Sequence, residues 1–337
     1  DDESPDVQLQ VAIAAPKIPK VETIPVLLSV LANCGNDPVI PPVVWQNLHP
    51  LLESESRPFL RQAIEKKLLD KPAVAATIPR VVDRILALKK PDAESVALLF
   101  AALMDGGQTN QKAAEQCLNL LAERVQTREL TGDELQTLKN RLEPKLVAIV
   151  KGGMSRPLFM EAITLMTSWG QAEGIVLSQR IFSNGKYSDD QRTQVFRALV
   201  SSKQTSILRD VTEVLGDPKK NSMRLRESVL AELGRLDSPS VPNAVLYAYP
   251  KMETGLQPKA VELLTQRPSW SKQLLEAIGK EKLPASVLNV NQARQLVLQG
   301  DEELAKAVRE HWGVVRTGRD PKREEFVGRM KKLVETT

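Results

Sequence analysis

The sequence predicts an all-α fold, a solenoid of stacked helix pairs. Three observations carry that expectation. Apolar residues recur at helical spacing in segment after segment. Helix-breaking Gly and Pro punctuate the chain at a near-regular interval. Strand signals are nearly absent, with little alternation of Val, Ile, Thr or Tyr and no hairpin dipeptide between β-rich runs.

The breakers are Pro38, Pro72, Pro91, Gly106-Gly107, Gly132, Gly152-Gly153, Gly170, Gly185, Gly216, Asp237, Gly255, Pro268, Pro284, Gly300 and Gly313. They stand roughly 15–20 residues apart, so two helices make a unit of roughly 35–40 residues, the range of HEAT-like repeats. On that period the chain holds about eight to nine helix pairs. One pair cannot bury its apolar stripe alone, whereas stacked pairs bury a continuous core. An aromatic content of 4% suits closely spaced helices that meet through Leu, Ala and Val. The alternative is a compact globular all-α domain. Recurrent breakers without a long bundle helix favour the solenoid.

Residues 1–60 hold nine of the 22 prolines, so the helical repeats of this first segment are short or open on a proline. Residues 61–315 read as the main HEAT-like solenoid. Within it, 109–121 places Ala113, Ala114, Cys117, Leu118 and Leu121 on one stripe. In 134–150, Leu135, Leu138, Leu142, Leu146 and Val150 share a face, and Pro144 kinks that helix or splits it in two. Asn184-Gly185 is flanked by helical patterns and reads as a helix stop, not a hairpin. The segment 222–236 carries Met223, Leu225, Val229, Leu230, Leu233 and Leu236, and 301–312 carries Leu304, Ala305, Val308 and Trp312. Asp37-Pro38, Ser155-Arg156-Pro157 and Ser238-Pro239 read as helix openings, and Asp189-Asp190 and Glu324-Glu325 as first-turn acids. Residues 316–332 carry seven Lys/Arg against three acids. There 316–321 reads as a loop, and 322–334 as a final helix with Phe326, Met330 and Leu333 inward and a solvated charged face.

The composition excludes several function classes. With 46 Lys+Arg against 42 Asp+Glu, the net charge of +4 is slight for 337 residues and does not suggest a nucleic-acid-binding protein. Cys34 and Cys117 stand 83 positions apart, with no Cys-x-x-Cys and no Cys/His cluster. That leaves no sequence-visible zinc site and no covalent haem attachment in this chain. The two thiols read as small buried residues rather than a disulfide. The start DDESPDVQLQ is acidic and lacks both an initiator Met and a secretory pattern. Either a signal has been removed or the chain comes from something longer. No apolar run is long enough to span a bilayer.

Chemistry-bearing motifs are equally scarce. His49, at the end of a short helix, and His311, before Trp312, have no nucleophile or base motif around them and read as capping or packed side chains. No phosphate-binding or dinucleotide-binding glycine motif is present. No residue is therefore assigned as catalytic, cofactor-binding or metal-binding. Trp45 and Trp312 read as core, and Trp270, after Pro268-Ser269, as a packing staple. Tyr247 and Tyr249, beside Pro250, read as part-exposed on a repeat edge, where an aromatic patch marks a partner surface.

Two stretches near the N-terminus and one near the C-terminus resemble a known family. Ser4-Pro5-Asp6-Val7-Gln8-Leu9-Gln10-Val11-Ala12 resembles the "D-x-(S/P)-x-V-R-x-Q-x-A-x-A" start of a HEAT helix, with Gln8 in place of the usual Arg. Asn36-Asp37-Pro38-Val39-Ile40-Pro41-Pro42-Val43-Val44-Trp45-Gln46-Asn47-Leu48 resembles "D-P-x-I-P-x-L-I-W-x-A-L". Asp301-Glu302-Glu303-Leu304 through His311-Trp312-Gly313-Val314-Val315-Arg316 resembles the "W-G-x-V-R" helix end. These motifs are similar to those of planctomycete-type membrane-bound dehydrogenases with a cytochrome c haem-binding domain. In that family a sugar-dehydrogenase-like propeller precedes the HEAT segment and a Cys-x-x-Cys-His cytochrome follows it. The resemblance covers the HEAT segment alone, so no oxidation or haem-ligating role passes to any residue here.

What the resemblance implies is a non-catalytic scaffold in the periplasm or otherwise outside the cytoplasm. It would be a spacer or docking segment between a redox head and a haem c tail. This chain itself would need no cofactor, and its partners would be proteins or adjoining domains of the same polypeptide. The alternatives are a stand-alone protein-interaction solenoid and, less favoured, a HEAT-like DNA glycosylase, whose mark would be salt-sensitive DNA affinity.

Overall fold

A computed structural model describes residues 3–315 together with 326, 327, 329 and 330. All regular structure among them is helical, and the backbone divides into two units, 1–182 with 194–202, and 183–193 with 203–337.

The first unit begins with α1 (Pro5–Ala14), α2 (Thr23–Asn33) and α3 (Ile40–Leu48). It continues through α4 (Leu52–Glu65), α5 (Pro72–Leu86), α6 (Ala93–Asp105), α7 (Gln108–Gln126), α8 (Gly132–Lys151) and α9 (Phe159–Ser168). Alternate helices stack: α1, α3, α5, α7 and α9 form one layer, and α2, α4, α6 and α8 the other. The core lies between the layers and is filled by such residues as Leu27, Leu48, Phe59, Ile78, Phe100, Leu118 and Leu142. Next come α10 (Ala172–Ser183) and α11 (Asp189–Ser201), and the division between the units passes through both.

The second unit contains α12 (Leu208–Gly216), α13 (Met223–Leu233), α14 (Val241–Ala248), α15 (Gln257–Leu264), α16 (Pro268–Gly279), α17 (Val290–Leu298) and α18 (Glu302–His311). Here α12, α14, α16 and α18 stack in one layer, and α13 packs on α15 in the other. The expected all-α solenoid of helix pairs is what each unit shows. Its period varies along the chain: α1, α3, α5 and α7 begin 35, 32 and 36 residues apart. In the first unit α4, α6 and α8 begin 41 and 39 residues apart. In the second unit α12, α14, α16 and α18 begin 33, 27 and 34 residues apart.

The breakers read from the sequence fall at helix boundaries or in the connections. Gly170 adopts φ +80°, which a Cβ would strain. There Gly170 N–H donates to Thr167 O and Gln171 N–H to Met166 O, the two bonds of a Schellman stop for α9. Side chains close helix starts as well. Asp37 Oδ1 accepts from the N–H groups of Val39 and Ile40, Ser222 Oγ from Leu225 N–H, and Asn289 with Gln292 forms a reciprocal capping box. Asp189 and Asp190 occupy the first turn of α11. Pro58 lies inside α4, and the backbone leaves helical geometry at Glu55, a kink of the kind a mid-helix proline imposes.

Polar ties join consecutive repeats. In the first unit Arg57 pairs with Asp92, Arg124 with Asp83, Arg141 with Glu94, and Asn110 donates to Asp70; the partners are 35, 41, 47 and 40 residues apart. In the second, Trp270 Nε1 donates to Ser238 O and Arg267 pairs with Asp237, at separations of 32 and 30. These separations approximate one repeat. The exposed ion pairs among them contribute about 0–1 kcal/mol each, so apolar burial supplies most of the stability.

Several expectations are corrected. The helix after Gly153 does not open at Ser155-Arg156-Pro157: α9 begins at Phe159, behind Leu158, whose φ is +66°. Pro144 does not split its helix, because α8 runs unbroken from Gly132 to Lys151. Pro144 and Asn140 both face solvent, which is where a helix tolerates the backbone carbonyl that a proline leaves unpaired. Trp45 and Trp312 are half-buried rather than core, and Trp312 closes α18 by donating Nε1–H to Leu288 O. Tyr249 is buried, unlike Tyr247. Phe326 and Met330 belong to helical residues, as expected, but are 61% and 50% exposed rather than inward. A helical stripe defines a face and does not by itself provide a covering neighbour. The loop read at 316–321, the acids Glu324-Glu325 and the inward Leu333 lie outside the described residues.

Candidate docking groove

The site begins with α14. Val241, Ala244, Val245 and Ala248 are buried at spacings of three, one and three, which turns Asn243 and Tyr247 outward on the opposite face. Tyr247 is 71% exposed, the most exposed aromatic side chain among the described residues. After Ala248 the chain tightens into a 3-10 turn, Tyr249–Lys251, and Met252 N–H donates to Tyr249 O. That turn brings Lys251 Nζ to 5.6 Å from the centre of the Tyr247 ring, a cation–π contact.

The facing wall is α16. Trp270, Leu274, Leu275 and Ile278 anchor it in the core, with Arg267 stacked on Trp270 at 4.8 Å. Gln273, Glu276, Ala277 and Lys280, spaced as one helical stripe, face the groove. At its end Glu281 takes φ +58°, Glu281 N–H donates to Ile278 O and Lys282 N–H to Ala277 O. This Schellman stop, built on a non-glycine residue, folds Lys282 and Leu283 back beside the helix.

Between the walls lies a groove of about 690 Å³, bounded by Asn243, Leu246, Tyr247, Pro250, Gln273, Glu276, Ala277, Lys280, Lys282 and Leu283. Its floor is apolar through Leu246, Ala277 and Leu283. Its rim is mostly cationic through Lys280 and Lys282, with Lys251 alongside. Glu276 is the acid among the lining residues and pairs with Lys280 one turn on. Its carboxyl is held below the usual range, first by the Lys280 hydrogen bond and then by the charges of Lys280, Lys282 and His311. The His311 ring lies over Gly279, where a Cβ would overlap it. Gln273 Nε2 donates to Pro239 O, which leaves its carbonyl oxygen available.

A second open surface lies on the first unit, a groove of about 670 Å³ between α1 and α2. Val7, Val11, Pro25, Val26 and Val30 line it, and Val7 and Val11 are exposed. Because Ala12 is buried on the other side, α1 presents apolar residues on both faces.

Residues of chemical interest are dispersed. His49 is exposed at the C-terminus of α3, with its ring edge-on to Trp45 at 5.5 Å. Cys34 and Cys117 are separate buried thiols, and burial pushes Cys117 up to about 12. Among the described residues no group of three or more His, Cys, Asp or Glu is close enough to hold a metal ion. No helix among them is long and apolar enough to cross a membrane.

Of the two tyrosines flagged beside Pro250, the structure brings Tyr247 to the groove, together with Pro250, and withdraws Tyr249 into the core. Sequence reasoning missed Lys280, Lys282 and Gln273. The available signal was the polar face of α16, where Gln273, Glu276 and Lys280 recur at helical spacing. Comparison with family models, curated proteins and solved structures gives no match.

Proposed function

We propose that this chain is a non-catalytic helical-repeat scaffold that holds partners or adjoining domains at a defined distance and orientation. The observation that carries the reading is the construction of each unit. Stacked helix pairs are tied to the next pair at about one repeat's separation, which makes a stiff support with open surface along its layers. The exposed groove between α14 and α16 is a surface of the kind such a support offers to a partner. The apolar face of α1 supports docking against a further protein surface.

The redox setting is proposed from resemblance. The stretches 4–12, 36–48 and 301–316 are similar to the HEAT segment of dehydrogenase–cytochrome proteins. On that reading the chain is the extracytoplasmic spacer between an oxidising head and a haem c acceptor, and neither flanking chemistry resides in its own residues. The test is the intact mass and visible spectrum of the native gene product, purified from its source. A much heavier protein with a Soret band supports the spacer. A mass equal to this chain with no visible absorbance overturns it and leaves a stand-alone interaction solenoid.

A further inference from the structure

We infer that the groove between α14 and α16 binds an extended acidic peptide segment of a partner protein. The inference rests on the scaffold reading and names the partner chemistry. The floor of Leu246, Ala277 and Leu283 accepts a small apolar side chain, while Tyr247 and Pro250 form an exposed rigid edge. Tyr combines a large apolar face with a hydrogen-bonding tip at low entropic cost, and is over-represented among residues that dominate binding.

The charge at the rim selects the sign of the partner. Lys280 and Lys282 line the groove, Lys251 stands against the Tyr247 ring at its edge, and Glu276 pairs with Lys280, which leaves Lys282 and Lys251 as the uncompensated charges. A basic segment would meet a net positive rim, whereas an acidic one gains complementary charge from Lys282 and Lys251. The polar groups suit a peptide backbone. The Gln273 carbonyl oxygen accepts an N–H, and the exposed Asn243 amide both donates and accepts. The groove runs between two neighbouring helices of one layer and is open, not a closed cavity, so an extended segment fits where a compact small molecule would remain largely solvated.

The test is fluorescence anisotropy of the full chain with a fluorescein-labelled peptide, Asp-Glu-Pro-Leu-Glu-Asp, against the same peptide with Lys at every acidic position. The acidic probe is expected to bind, and the basic one to bind at least about tenfold more weakly. Raising salt from about 0.05 to about 0.5 M weakens the acidic complex, since rim charges are screened. Tyr247→Ala and the double variant Lys280→Glu/Lys282→Glu are each expected to lower affinity about tenfold or more. These side chains are exposed, and matching thermal melts establish that the variants fold.

Equal binding of both peptides, no binding of the acidic one, or variants that bind like the wild type would overturn the inference. A phosphate-rich single-stranded oligonucleotide that binds more tightly than the acidic peptide would also overturn it. The scaffold reading fails separately. If the double variant still enters the native high-mass assembly, the groove is not the docking site but the scaffold stands.

Discussion

Arg226 and Glu253 grip each other through two hydrogen bonds, from Nη1 to Oε2 and from Nη2 to Oε1, the latter 2.6 Å. Arg226 sits on α13 with 1% of its side chain exposed, whereas Glu253 lies at the solvent edge before α15. The pair joins two consecutive repeats of the second unit. A buried guanidinium without its carboxylate is an uncompensated charge.

The first prediction concerns acid. Hydrogen bonding by Arg226 lowers the Glu253 carboxyl from 4.5 to about 2. A depressed folded value means the stabilisation is complete above the unfolded value and is lost as pH falls through the folded one. The contribution therefore fades between about pH 4.5 and about pH 2. Glu253→Gln should lower the melting temperature at pH 7, and the difference from wild type should shrink across that window. A difference independent of pH would show that the pair does not set the acid limb.

The second concerns the core. Leu230 and Leu264 are buried on α13 and α15, on the stripes whose spacing marks them as inward. Leu230→Ala and Leu264→Ala should each cost about 2–5 kcal/mol in a denaturant titration. A loss within experimental error would refute their placement between the layers.

A third prediction addresses close helix packing. A Cβ at Gly174 on α10 would lie 2.8 Å from Met166 Cβ and 2.9 Å from Thr167 N on α9. One of those contacts is backbone, so a rotamer change cannot relieve it. Gly174→Ala should destabilise the first unit by about 1–3 kcal/mol despite the better helix propensity of alanine. Unchanged or raised stability on thermal melting would contradict the contact.

The fourth uses the thiols. Cys117 is fully buried and its thiol is pushed up to about 12, so almost no thiolate forms at pH 8. Ellman's reagent should leave Cys117 unmodified in the native protein and titrate two thiols in denaturant, as expected for free cysteines. Rapid native modification of Cys117 would refute its burial.

Legibility followed sequence distance. Leu138, Leu142, Leu146 and Val150 were readable as one buried face because neighbours on a helix are three and four residues apart. The effect of Pro144 was not readable, because it depends on whether the Asn140 carbonyl reaches water. Tyr247 and Tyr249, two apart, necessarily point to different sides of the chain, but spacing alone did not say which side was inside. The ring of Tyr247 became part of a groove only when α16 was laid beside it, with Gln273 and Lys280 some 30 residues further along.

The sequence by itself determined the helices, most of their ends and the pairing of successive helices into repeats. Those features arise from capping groups, breakers and apolar spacings that act within one or two turns. Tertiary structure alone decided that Arg226 finds Glu253, that Phe326 and Met330 stand exposed, and that α14 and α16 leave a cationic groove between them. Each depends on which faces of sequence-distant helices meet, and packing sets that by burying the largest apolar stripes together while leaving the remaining faces to water.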